Sequence, residues 1–187
     1  HPHPRSAAHT TLAGLVRAST DGLAAKAMAA CPGEWLTEGL DCVRDRLAVY
    51  GRAWARFAKW RAVIAIGDGL PTRACIEANA HALARYAVTC QQAGLVPAVE
   101  PEVLMDGVHS LERCREVTEA VLGTVFDELR TQRVVLEGMI LKPNMVVPGA
   151  SCPEQPDVAV VAEATVACLR RVVPAAVPGI AFLSGAP

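Results

Sequence analysis

The sequence predicts an α/β fold, and within that class a partial (β/α)₈ barrel with about four or five strand-helix units. Three observations lead to this prediction. Apolar runs rich in β-branched residues alternate with segments of helical periodicity, the runs are almost continuously apolar, and polar residues return once in each unit. Such strands, separated by helices, indicate a parallel sheet that helices cover.

Four apolar runs are expected to form the strands, because β-branched residues favour extended backbone. The third run ends at a Lys-Pro pair. Pro143 has no N–H and biases Lys142 toward an extended conformation, so the hydrogen-bonded ladder should stop at Lys142. The runs are FAKWRAVIAI (57–66), LVPAVEPEVL (95–104), VVLEGMILKP (134–143) and GIAFLSG (179–185).

Three segments between these runs are expected to form helices. The clearest, over 111–129, places apolar residues three and four positions apart, which puts them on one helix face. A second begins near Pro71, a residue suited to a first helical position, and ends before Gly94. The third, over 157–172, ends with two arginines, where positive charge suits the helix dipole.

Polar residues end each strand run, and they recur about 42 residues apart in the chain. In a TIM (β/α)₈ barrel the catalytic groups come from the carboxyl ends of several strands and meet in one mouth. A doubly wound open sheet is the rival architecture, but no G-x-G-x-x-G or G-x-x-x-x-G-K-[ST] motif supports it. We therefore expect Lys59, Glu100, Lys142 and Ser184 to converge on a single site. Arg61, Glu102 and Gly185 accompany them at the strand ends.

The chemistry predicted for this convergence is that of a lysine nucleophile. An amine attacks a carbonyl group only when it is unprotonated, and both a water-poor wall and a second cation favour the uncharged form. Lys59 is the expected cation, and Glu100 the expected acid and base. Taken alone, a Lys-Pro pair is typical of a surface loop; its recurrence with Glu100 and Lys59 favours a site.

Composition narrows the class of partner. The formal net charge of -1 and the lack of a basic run argue against nucleic acid, which leaves a small molecule as the expected partner. No apolar stretch reaches the roughly 18 residues of a membrane span. The seven cysteines are widely scattered, which favours reduced thiols over a disulfide framework or a zinc site. We expect a cytoplasmic protein with no metal and no cofactor.

Four motifs resemble the class I, Schiff-base-forming fructose-bisphosphate aldolases: FAKWR, GLVPAVEPEVL, LEGMILKPNMVVPG and GIAFLSG. The resemblance runs from about Gly39 to Gly185. It implies a partial aldolase barrel domain over 39–187, preceded by a segment, 1–38, that matches the family poorly. The family's GIKVDKG motif has at best a degraded counterpart in GLVRASTDG, where Arg17 stands near the place of a lysine.

The resemblance implies cleavage of fructose 1,6-bisphosphate into dihydroxyacetone phosphate and glyceraldehyde 3-phosphate, without metal. It also implies a homo-oligomer, since the family forms tetramers. Lys142 matches the lysine that attacks the keto carbon, Glu100 the glutamate that transfers protons, and Lys59 the lysine that assists. Glu102 is the near neighbour of that glutamate, Arg61 occupies a position associated with phosphate binding, and Ser184 and Gly185 match residues that hold the other phosphate.

The sequence also departs from the family. Members are about twice this length, so the strand with an essential aspartate would lie upstream, and the strand with a substrate-binding arginine would lie beyond Pro187. These departures, and the first histidine, suggest a chain truncated at both ends. They keep open an alternative: a catalytically dead aldolase-like protein that binds a phosphosugar or another subunit.

Overall fold

The computed structural model describes residues 25–182 of the chain. Nine strands and helices lie in this range, and from the third strand onward they alternate as the sequence predicts. In chain order, with two 3₁₀ turns, they are β1 (Ala25–Ala27), β2 (Trp35–Thr37), the turn Leu40–Cys42, α1 (Val43–Arg52), β3 (Phe57–Ile64), α2 (Arg73–Gln92), β4 (Val96–Val103), α3 (Leu111–Thr131), the turn Leu136–Gly138, β5 (Ile140–Leu141) and α4 (Val158–Val172).

The central sheet is parallel and has the strand order β3-β4-β5. Lys59 lies opposite Ala98 in its register, and Arg61 lies opposite Glu100. The fourth predicted strand touches this sheet through one parallel bridge, from Leu141 to Ile180. β1 and β2 form a separate antiparallel hairpin. The predicted α/β fold with parallel strands is thereby confirmed.

Side-chain alternation divides the two faces of the sheet. Trp60, Val99 and Leu141 point toward the helices and are fully buried, and the Trp60 ring lies 5.3 Å from that of Tyr86 on α2. The residues at the positions between them, including Lys59 and Glu100, occupy the other face. The alternation therefore gathers polar groups on the face turned away from the helices.

The three predicted helices are present, and each begins at a side chain that caps it. The hydroxyl of Thr72 accepts a hydrogen bond from the N–H of Cys75, and Ser110 and Asp157 do the same for α3 and α4. Because Thr72 takes the N-cap position with extended backbone, α2 begins at Arg73 and not at the predicted Pro71.

Two strand predictions need correction. Most of 134–143 is not a strand. The N–H of Val135 donates to Oε1 of Gln91 at 3.0 Å, and the Val135 carbonyl accepts from Nε2 of Gln91 at 2.7 Å. Because this side chain satisfies the backbone of Val135, no neighbouring strand pairs with it there. Nor do Lys59 and Glu100 end their strands. β3 continues to Ile64 and β4 to Val103, so these polar residues belong to a strand face and not to strand ends.

The cysteines lie within the described residues, and all seven are free thiols. Cys75 and Cys90 are buried in the core, and burial raises the pKa of each to about 12. They therefore pack as small apolar side chains. Within residues 25–182, no helix is both long and apolar enough to cross a membrane.

Candidate functional site

Lys142 emerges directly from the end of β5. Its backbone N–H donates to the carbonyl of Val99 at 2.8 Å, and the buried Pro143 follows it. This bond aligns Lys142 with the middle of β4, so its side chain shares the polar face with Glu100. The ladder thus ends where the proline predicts.

Glu100 lies between two lysines. The Lys142 ammonium donates a hydrogen bond to Oε1 of Glu100. Nζ of Lys59 lies 2.9 Å from Oε2, as an ion pair without the geometry of a hydrogen bond. The side chain of Glu100 is 5% exposed, and each lysine side chain is 16% exposed. One shielded carboxylate therefore contacts two amines and can exchange protons with either.

Register explains how Lys59 reaches this carboxylate. Its partner across β3 and β4 is Ala98, whose side chain is a single methyl group. Lys59 extends past that methyl group to the next residue on the same face, Glu100. A long side chain can reach such a diagonal neighbour, which lies about 7 Å away.

A second ion pair lies beside the first. Arg61 bonds through Nε to Oε2 of Glu102, and this bond raises the pKa of the Arg61 guanidinium above its ordinary value. Arg61 therefore stays cationic at any physiological pH. The bond uses Nε alone, and in the described part of the chain neither terminal nitrogen of Arg61 has a bonded acceptor. These two nitrogens are the donors that a phosphate group accepts in pairs.

A cavity of about 210 Å³ opens beside these groups. Polar walls come from Glu100, Glu102, Lys142 and Asn144, and an apolar wall includes Met145, Val147 and Phe182. A larger cavity of about 640 Å³ lies between the end of the hairpin and α2, lined in part by Glu38, His81 and Arg85. None of the predicted site residues borders the larger one, so the smaller one is the candidate site.

Asn144 belongs to this site but was not predicted from the sequence. Its Oδ1 accepts the N–H of Val103 at 3.1 Å, and its Nδ2 donates to Oγ1 of Thr118 at 3.1 Å. The signal available in the sequence was an amide directly after Lys-Pro, inside an otherwise apolar run. Its partners are distant in the chain, so only the fold reveals them.

Several predicted positions lie outside the described residues, among them Ser184, Gly185 and Arg17. The structure brings together the other five predicted residues on one face of the sheet. Among residues 25–182, no group of three or more histidine, cysteine, aspartate or glutamate side chains is arranged to hold a metal ion.

Comparison with known families gives this site its context. The model of the family "Glycolytic: Fructose-bisphosphate aldolase class-I" matches residues 20–187. The chain belongs to the class I fructose-bisphosphate aldolase family. This confirms the resemblance seen in the four motifs.

Relatives of this family are similar over most of the chain. A "Probable fructose-bisphosphate aldolase class 1" of Xanthomonas axonopodis pv. citri is 56% identical over 96% of the chain and 54% of its own length. "Fructose-bisphosphate aldolase 5, cytosolic" of Arabidopsis thaliana is 54% identical over 84% of the chain and 44% of its own length. The chain thus spans about half the length of the curated relatives it matches.

A solved aldolase structure has the same fold in this region. It is the fructose-bisphosphate aldolase from Plasmodium falciparum, in complex with TRAP and a small-molecule inhibitor. The TM-score is 0.84 at 48% sequence identity, and the match covers 88% of this chain and 47% of the other. The described strands and helices therefore correspond to about half of an aldolase barrel.

Proposed function

We propose that this chain carries the Schiff-base site of a fructose-bisphosphate aldolase, with Lys142 as the nucleophile. The observation that carries the proposal is the contact of Glu100 with both Lys142 and Lys59, on the polar face of an aldolase-like half barrel. The proposed reaction is cleavage of fructose 1,6-bisphosphate into dihydroxyacetone phosphate and glyceraldehyde 3-phosphate.

The first half of the proposed reaction forms an imine. Glu100 takes a proton from the Lys142 ammonium, whose Nζ it already contacts, and the free amine attacks the keto carbon of the sugar. The proton then returns to the carbinolamine hydroxyl, which leaves as water, and a protonated imine remains. Lys59, on the other side of the carboxylate, compensates the negative charge that develops on the ketone oxygen.

The second half of the proposed reaction breaks a carbon-carbon bond. A base removes the proton of the C4 hydroxyl, the C3–C4 electron pair moves into the protonated imine, and glyceraldehyde 3-phosphate leaves. The remaining enamine takes a proton at C3, and water hydrolyses the resulting imine to release dihydroxyacetone phosphate and the Lys142 amine. Because the imine accepts the electron pair, the proposed mechanism uses neither metal nor cofactor.

Further groups are proposed to hold the substrate. Arg61 binds one phosphate group through its terminal nitrogens, while Glu102 orients the guanidinium from the Nε side. Ser184 and Gly185 bind the other phosphate group. We propose a cytoplasmic location, which is supported by the name of the Arabidopsis relative, and a homo-oligomer, as the family resemblance implies.

The proposal is tested by trapping the imine on the chain. Lys26, Lys59 and Lys142 are the lysines of the sequence, so peptide mass spectrometry assigns an adduct without ambiguity. Treatment with dihydroxyacetone phosphate and borohydride is expected to add one reduced adduct, on Lys142. Lys142→Arg keeps the positive charge against Glu100 but cannot form the imine, so its adduct should disappear. Lys26→Arg is the matched control, because Lys26 lies in a largely exposed ion pair with Glu38. This variant should keep the adduct on Lys142.

A second measurement tests turnover in a protein that has the full length of an aldolase. A chimera in which this chain replaces the matching part of the Xanthomonas axonopodis relative should cleave fructose 1,6-bisphosphate, and the same chimera with Lys142→Arg should not. An adduct on Lys59 or Lys26 alone, or no adduct in either the chain or the chimera, would overturn the proposal. Phosphosugar binding without an adduct would favour the non-catalytic alternative.

A further inference from the structure

We infer that Asn144 is a positioning residue of this site, which ties the segment carrying Lys142 to β4 and to α3 and so fixes the amine against Glu100. The inference rests on the proposed function of Lys142 and adds a residue that works through it. Asn144 holds its neighbours through one side-chain amide that both accepts and donates.

The acceptor side of this amide attaches the segment to β4. Oδ1 takes the N–H of Val103, the last residue of β4, at 3.1 Å. Lys142 is attached to the same strand by its N–H bond to Val99 at 2.8 Å. The two bonds lie on either side of Glu100 along β4, so together they set where Lys142 stands relative to that carboxylate.

The donor side attaches the segment to α3. Nδ2 donates to Oγ1 of Thr118 at 3.1 Å and to the carbonyl of Met145 at 3.0 Å. Thr118 is 1% exposed and does not border the cavity. Pro143 is the single residue between Lys142 and Asn144, and its ring restricts the backbone. A displacement of Asn144 is therefore transmitted to Lys142.

An amide suits this position better than other side chains of similar size. It offers one acceptor and two donors without charge. A carboxylate could accept from Val103 and from the Thr118 hydroxyl, but it would bring a negative charge to a cavity already bordered by Glu100 and Glu102. An alanine would leave the Val103 N–H and the Thr118 hydroxyl without these partners.

Thr118 permits a test that leaves the cavity lining unchanged. Thr118→Val removes the hydroxyl that holds Asn144 and nearly preserves the volume of the side chain. The matched control is Thr165→Val, since Oγ1 of Thr165 accepts the N–H of Val146 at 3.0 Å from α4. Both threonines are buried and bond the same segment, but Thr165 attaches it beyond Asn144.

The experiment compares Asn144→Ala, Thr118→Val, Thr165→Val and the double variant Asn144→Ala with Thr118→Val. One readout is the rate of borohydride trapping on Lys142, at saturating dihydroxyacetone phosphate, in the chain and in the chimera. The other is hydrogen exchange at the Lys142 and Val103 amides, which needs no substrate. Urea unfolding of each variant shows whether losses of stability are matched.

We expect Asn144→Ala and Thr118→Val to slow trapping about tenfold, since small misplacements of a reacting group cost large factors in rate. Exchange at the Lys142 amide should accelerate about fivefold or more in both, as one lost hydrogen bond implies. Thr165→Val should change either readout by less than about twofold. Because Thr118 acts through Asn144, the double variant should resemble Asn144→Ala.

Equal slowing by Thr118→Val and Thr165→Val would overturn the inference, because a general loss of packing would then explain both. So would unchanged exchange at Lys142 in Asn144→Ala. Absence of an adduct on the unsubstituted protein would instead reject the proposed function. The exchange data would still decide whether Asn144 fixes the position of Lys142.

Discussion

Glu100 lies opposite Arg61 in the register of β3 and β4, yet its carboxylate pairs with Lys59. Glu102 is displaced in the same direction, since it lies opposite Val63 and pairs with Arg61. Each of these two carboxylates on β4 thus pairs with a basic residue of β3. That residue comes two positions before the one directly opposite the glutamate. Lys59 contacts Oε2 of Glu100, and Oε1 accepts the hydrogen bond from the Lys142 ammonium.

Glu100→Gln should weaken both the chemistry and the fold. The amide has nearly the same shape, but it removes the negative charge shared by Lys59 and Lys142. Loss of the proton-transfer group should slow borohydride trapping on Lys142 by about 10²-fold or more. Loss of one charged hydrogen bond and one ion pair at a buried position should lower the free energy of unfolding by about 2 kcal/mol, measured by urea titration.

Glu102→Gln is the matched control for that variant. Its pair with Arg61 is more exposed, at 31% for the glutamate and 42% for the arginine, so solvent screens it. The expected loss of stability is below about 1 kcal/mol. Equal losses in both variants would contradict the distinction between a shielded and a solvated pair.

Arg61→Ala should affect substrate binding more than the chemical step. If Arg61 holds a phosphate group, the concentration of fructose 1,6-bisphosphate at half-maximal trapping should rise about tenfold or more, and the rate at saturation should change little. Arg61→Lys should recover part of the loss, because an ammonium group keeps the charge but not the paired donors. A fall in the saturated rate alone would assign Arg61 a different role.

The sequence was sufficient to predict three of the four helices and the convergence of Lys59, Glu100 and Lys142, because helical periodicity and the regular recurrence of polar residues are both visible along the chain. It did not predict α1 or the β1–β2 hairpin. It placed these residues at strand ends, whereas they lie on a strand face. That face points away from the helices and accepts polar residues at every second position, which the apolar composition of the runs concealed.

Individual hydrogen bonds between a side chain and a distant part of the chain were beyond the reach of sequence patterns. The strand predicted before Ile140 is replaced by a turn because Gln91, on α2, satisfies the backbone of Val135. The bonds of Asn144 to Val103 and Thr118 likewise join residues from separate elements. Both depend on the register of the folded chain and not on periodicity.

The pH dependence of stability should include a contribution from His109. This side chain is 9% exposed, and burial lowers its pKa, with Arg113 acting in the same direction and the backbone of Val147 acting against it. The unfolded chain therefore binds a proton near the ordinary histidine pKa, about 6.5, while the folded chain binds it only at a lower pH. Stability contributed by the neutral ring is complete above that pH and is lost as the pH falls through it.

His109→Phe should remove this contribution. Urea unfolding at pH 7.5, 6.5 and 5.5 should show a smaller loss of stability on acidification in the variant than in the unsubstituted protein. His81→Phe is the control, because His81 is half exposed and lies beside Glu128 at 3.0 Å. A loss as steep in His109→Phe as in the unsubstituted protein would show that other groups cause the dependence.

Gly149→Ala should be strongly destabilising. A Cβ at this position would lie 2.3 Å from the carbonyl oxygen of Gly107, where the segment after β5 crosses the segment after β4. The contact is with backbone, so one of the two segments must shift, and both border the candidate site through Met105 and Val147. We expect a loss of about 2 kcal/mol or more in urea unfolding, and slower trapping on Lys142.

Gly123→Ala is the matched control for this last prediction. Gly123 lies within α3, and an added Cβ there would meet no atom within 4 Å. Alanine is the better helix former, so this variant should gain about 0.5 to 1 kcal/mol. The same substitution should thus lower the free energy of unfolding at Gly149 and raise it at Gly123. This difference separates the effect of backbone crowding from that of helix propensity. A neutral Gly149→Ala would show that the two segments part without cost, and that their contact does not help to hold the Lys142 segment in place.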